Sequence, residues 1–172
     1  MSAMTEQDIV DAYEDLFLAA TLGGDPLGHV ETQVADTSDE AYVRAIFDDP
    51  AGNPQRALIE ILTGGARGRT AGRGRYEYRR DPVIRIVVHK AFELDAATLK
   101  HDAASMADAR ALFTAIHDLL LIHDNVACGS NNPGVQVQSC DYTFDPEETP
   151  ERGEWACFKA VFQPIFVNQI QN

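Results

Sequence analysis

The sequence predicts an α+β fold: a mostly antiparallel sheet of two hairpins, with helices packed on one face. Three observations carry that expectation. Two segments place apolar residues at helical spacing. Two pairs of β-prone runs each flank a turn-rich stretch. No internal repeat or linker divides the 172 residues, a length that suits a single domain, 1–172, able to bury a core without metal or disulfide staples.

The first helix is expected from about Thr5 to Ala20, with Thr5 as N-cap and Asp8 near capping-box spacing. Ile9, Tyr13, Leu16, Phe17 and Ala20 fall on one face, and Asp11, Glu14 and Asp15 lie off it. Gly23 and Gly24 read as the helix stop. Within residues 21–55 the pattern gives a short strand, His29–Val34, and a short helix capped by Thr37 or Ser38 with Tyr42, Val43, Ile46 and Phe47 on its apolar face. Turn signals follow at Asp48-Asp49-Pro50 and Gly52-Asn53-Pro54.

Arg56–Thr63 (RALIEILT) reads as a strand, residues 64–75 (GGARGRTAGRGR) as a flexible basic loop, and Tyr76–Phe92 as a long strand interrupted near Asp81-Pro82. Pro82 has no N–H to donate, so it belongs at a bulge or an edge. A second helix is expected from about Ser105 to Ile122, with Ala109, Leu112, Phe113, Ile116, Leu119 and Leu120 as a wide apolar stripe for the sheet. Val135–Phe144 alternates like a half-buried strand. An acidic turn leads to Trp155–Val167, where Pro164 again implies a bulge or an edge. The polar tail 168–172 is expected to fray.

Charge is unevenly placed. Residues 1–50 sum to −11, residues 51–100 to +5 and residues 101–172 to −7, within a net −13. An acidic body of this kind repels nucleic acid and anionic membrane over its general surface. The three cysteines (Cys128, Cys140, Cys157) lack CxxC spacing and suit reduced thiols of an intracellular protein. The opening MSAMTEQDIVDAYEDLF has neither a basic segment nor an apolar run of signal-peptide type, and no stretch has the length of a membrane span.

Catalytic machinery is not expected. His101-Asp102, His117-Asp118 and His123-Asp124 repeat a dipeptide, but neighbours on a helix do not converge on one ion, and there is no HExxH or paired Cys. GxSxG is missing, and GGARGRT has neither the spacing nor the lysine of a phosphate loop. Asp48-Asp49 and Glu147-Glu148 suit solvated turns. No metal and no cofactor are expected. A Cys–His site assembled in space stays open as an alternative.

The feature above background is a run of arginines: Arg67, Arg69, Arg73, Arg75, Arg79 and Arg80. The first four are spaced by small residues in a Gly-rich stretch that is costly to order alone. Three readings stay open: a solvated loop, a nucleic-acid contact of the RG-rich kind, and docking on an acidic protein surface. The acidity of the rest of the chain favours docking.

The stretches LIEILTGG and RGRYEYRRDPVIRIVVHKAF, followed by MADARALFTAIHDLL and WACFKAVFQPIFV, resemble the tail terminator (tail completion) proteins of long-tailed bacteriophages in element order, from Leu58 to Val167. The segment 21–55 matches no pattern of that family. The resemblance implies a structural protein of the virion, made in the host cytoplasm, that forms a homo-oligomeric, hexameric ring. The ring caps the tail tube, stops its growth and joins it to the neck or connector protein, and DNA passes through its lumen without specific binding. It also implies that the six arginines contact the tube protein or a neighbouring subunit. Another connector or neck ring of the head–tail junction, and a nucleic-acid-binding accessory protein using the arginine segment, are the alternatives.

Overall fold

The computed structural model describes residues 6–32, 44–48, 52–71, 77–95, 97–98, 103–122, 125–126, 135–145 and 155–167. Helix α1, Glu6–Ala19, opens with Glu6 and Asp8, whose charge suits the positive end of the helix dipole. Ile9, Val10, Tyr13 and Phe17 are buried along its inner stripe, and the Tyr13 and Phe17 rings stack at 6.2 Å between centroids. Gln7, Asp11, Asp15 and Leu18 face solvent.

Gly23 and Gly24 do not terminate this helix. It stops at Ala19, and the Ala20 N–H reaches the Phe17 carbonyl at 3.3 Å. The glycines form the two-residue turn of a small hairpin between β1 (Thr21–Leu22) and β2 (Asp25–Pro26). Their φ values of 66° and 96° are the positive angles that such a turn requires.

Strand β3 (His29–Glu31) is shorter than the expected 29–34, and it pairs in parallel with the start of β4 (Ala57–Ala71). A parallel pair needs a crossover of a dozen or more residues, and the segment 32–56 supplies it. Of the expected short helix, the described part is a π-helical turn, Arg44–Asp48. Thr5, Thr37, Ser38, Tyr42 and Val43 lie outside the described residues.

The main sheet has the order β3-β4-β5-β8-β7-β6, where β5 is Glu77–Glu93, β6 Asn125–Val126, β7 Val135–Asp145 and β8 Trp155–Val167. Every neighbouring pair except β3–β4 is antiparallel. The two expected hairpins, β4–β5 and β7–β8, therefore join side by side through β5 and β8. Alternation sends Ala57, Ile59 and Ile61, then Ile84, Ile86 and Val88, and Ala156, Phe158, Ala160 and Phe162 into the core beneath the helices.

Helix α2, Ala103–Ile122, begins two residues before Ser105 and buries Ala109, Leu112, Phe113, Ile116 and Leu120. Its His117 Nε2 lies 2.9 Å from the Cys140 carbonyl of β7. A carbonyl only accepts, so Nε2 carries the proton and the helix is tied to that strand. Phe92 stacks on Phe158 at 4.1 Å, and Phe113 meets Phe162 edge-on at 6.5 Å. Helices α1 and α2 thus cover the same face of the sheet.

The π-helical turn lies on the opposite face. Ile46 and Phe47 pack there on Leu58, Ala91 and Cys157. Asn53, 2% exposed, holds the turn to the sheet. Its Nδ2 donates to the Ala45 carbonyl at 2.9 Å, and its Oδ1 accepts from the Ala57 N–H at 2.9 Å. The chain then reverses at Arg56, whose φ of 48° is unusual for a residue with a Cβ. Arg56 donates its N–H to the Asn53 carbonyl at 2.8 Å, and its own carbonyl accepts from the Ala91 N–H at 2.9 Å.

Candidate docking arm

Strand β4 does not end at Thr63. It continues through Ala71, and residues 66–71, expected as loop, are paired strand opposite β5. The interruption expected at Asp81-Pro82 falls instead on the facing strand. Between the pairs Thr63↔Ile84 and Ala66↔Pro82, β4 carries one residue more than β5. That is a β-bulge at Gly64-Gly65, where the lack of a Cβ eases the local bend. The periodicity of RALIEILT ends at these glycines, which is why the sequence read as a loop beyond them.

The bulge coincides with the point where the ribbon leaves the sheet. The last β5–β8 pair is Ile86↔Phe162, and beyond it β8 continues only with β7 as far as Val167. Pro82 and Pro164 both lie past that pair, Pro82 beside the β4 bulge and Pro164 near a second bulge between Val137 and Ser139. Their missing N–H groups are tolerated there because no full ladder needs them. Six rungs, Ala66↔Pro82 to Ala71↔Glu77, form a two-stranded arm. At ~3.4 Å per residue it is about 20 Å long.

Four of the six expected contact residues lie on this ladder. Arg67 stands opposite Asp81, Gly68 opposite Arg80 and Arg69 opposite Arg79. Arg73 and Arg75 lie outside the described residues. Directly opposed like charges weaken an antiparallel pair, by roughly 0.2–1 kcal/mol on the scale of cross-strand interactions.

Within the sheet, β4 and β5 carry a buried pair that sequence reasoning missed. Glu60 and His89, both buried, meet on the outer sheet face with Oε2 2.7 Å from Nε2. Glu60 is paired with Val87 and His89 with Leu58, so the bond crosses diagonally from β4 to β5. The available signal was Glu60 itself, the one charged residue inside an apolar run. On the helix side, Lys90 donates to the Gln55 carbonyl. Burial lowers its pKa below the usual lysine value; Asp108 pulls it upward and Arg56 pushes it down.

Cys140 and Cys157 are buried thiols, not joined in a disulfide. Burial pushes the Cys157 thiol up to about 12, so it stays protonated and is a poor nucleophile. Cys128, His101 and His123 lie outside the described residues. Among the described residues no cluster of three or more His, Cys, Asp or Glu is placed to hold a metal ion, and no helix is long and apolar enough to cross a membrane.

No family model matches the chain. No curated protein matches it either.

Proposed function

We propose that the chain is a structural protein of a bacteriophage tail, a ring subunit of the tail terminator kind that caps the tube and joins it to the neck. The observation that carries this reading is the arm: a six-rung basic ribbon extending past a sheet whose other face is covered by both helices. A two-stranded ribbon without a third strand is marginal in water. It suits a surface completed by a neighbour. The resemblance in element order from Leu58 to Val167 points the same way.

In this reading Arg67, Arg69, Arg73, Arg75, Arg79 and Arg80 contact the tube protein or an adjoining subunit. Head-to-tail contacts between copies close into a ring by rotation, and the ring repeats the arm in every subunit, so weak individual contacts add through avidity. An acidic lumen does not hold a passing DNA polyanion. The site of action is the tail–neck junction of the virion. Electron microscopy of the purified chain, alone and mixed with the tube protein, tests the reading. Closed sixfold rings at tube ends are the expected result. A chain that stays monomeric with the tube protein and leaves tube ends bare refutes it. Rings that bind portal-side components but not tubes would assign the chain to the neck instead.

A further inference from the structure

We propose that the arm docks on the outer face of α1 in a second copy of this chain. The inference deepens the ring reading and rests on it: it names the surface through which subunits join. Charge identifies the two halves of the contact. The described rungs, residues 66–71 and 77–82, carry four arginines against Glu77 and Asp81, a formal +2, so the remainder of the chain carries −15. Helix α1 carries Glu6, Asp8, Asp11, Glu14 and Asp15 with no cation among its residues, a formal −5 in 14 residues.

The outer face of α1 is not only acidic. Leu18, 62% exposed, stands at its C-terminal end in line with Asp11 and Asp15. The face therefore combines carboxylates with one apolar contact point, and charge is what selects its partner. Among the described residues, Asp11, Glu14 and Asp15 form no ion pair. The arm supplies the opposite charge, with Arg67, Arg69 and Arg79 at register positions of one ladder face.

The fold favours contact between copies over contact within one chain. β4 passes from sheet to arm as a single strand, so the arm extends the sheet. The acidic stripe of α1 looks away from that sheet, on the far side of a helix about 10 Å thick. An arm meeting this stripe on a neighbour makes a heterologous contact, in which the two subunits contribute different surfaces.

The test is a charge swap. One variant carries Arg67→Glu, Arg69→Glu and Arg79→Glu, three register positions on one face of the ladder. A second carries Asp11→Arg, Glu14→Arg and Asp15→Arg. Circular dichroism and thermal melts verify that each is folded, and native mass spectrometry with sedimentation velocity reads association. The native chain is expected to self-associate, more weakly as salt rises. Each variant alone should lose association by on the order of tenfold or more. An equimolar mixture of the two should restore it, in complexes with equal numbers of each variant, because every arm then meets a helix of opposite charge.

Variants that associate as the native chain does overturn the docking proposal and leave the ring reading standing. A mixture that fails to recover association overturns it as well. Failure of the ring reading looks different: a native chain that stays monomeric at every concentration and binds DNA in a salt-dependent way removes both.

Discussion

Replacing Asn53 by alanine tests whether the outer-face turn is held by one side chain. The amide carries two bonds in opposite directions, to the Ala57 N–H and from its own Nδ2 to the Ala45 carbonyl, each 2.9 Å. Ala57 is fully buried, so its N–H finds no water when the acceptor is removed. A buried donor left unmade costs about 1–3 kcal/mol, and the lost bond to the more accessible Ala45 carbonyl adds about 0.5–1.5 kcal/mol. The expected loss is about 2–4 kcal/mol. For a chain of this size each kcal/mol lowers Tm by roughly 2–4 °C. Urea unfolding should show a lower midpoint at unchanged slope, as a pure stability change requires. Asn53→Asp keeps an acceptor for Ala57 but buries a carboxylate whose second oxygen faces the Ala45 carbonyl, so it should destabilise as well. A loss below about 0.5 kcal/mol for Asn53→Ala, in the range of an ordinary surface substitution, would refute the assignment of Asn53 as the anchor of the π-helical turn.

Three further outcomes follow from the structure. Glu60→Leu and His89→Leu should each destabilise more than the double variant, because a single change strands one buried polar partner while the double change removes both; a double-mutant cycle by urea unfolding measures it, and additive losses count against the pairing. Gly28→Ala should cost about 1–3 kcal/mol in the same assay, since a Cβ there meets the Ala57 carbonyl oxygen at 2.5 Å and must push β3 away from β4. Cys157 should resist alkylation in the folded chain at neutral pH and react once urea exposes it. Its folded pKa of about 12 lies above the ordinary thiol value near 8.5, so its contribution to stability is complete below about pH 8.5 and falls as pH rises toward 12; Cys157→Ala should flatten that slope in a pH series of melts.

The regular elements were legible because their periodicity is strong. RALIEILT, VIRIVV and the stripe Ala109–Leu120 each bury the side that their spacing indicates. The segment 21–55 was opaque because its contacts are long-range. Gly28 is a glycine for the sake of the Ala57 carbonyl, and Asn53 owes its place to Ala45, neither of which is visible from local pattern. Gly23-Gly24 read as a helix stop because the hairpin they turn has strands of only two residues each. In the arm the residue types were visible and the backbone was not. Gly64-Gly65 suggested an end to pairing, whereas they absorb one extra residue and let pairing resume at Ala66.

The fork where β5 and β8 part has one more effect. Each wall of that cleft contains an imino acid, at Pro82 and Pro164. An intruding strand laid into it finds donors missing on both sides and cannot zip into a continuous ladder. Copies of the chain crowded together at high local density are thereby steered away from backbone lamination, an association that is hard to reverse.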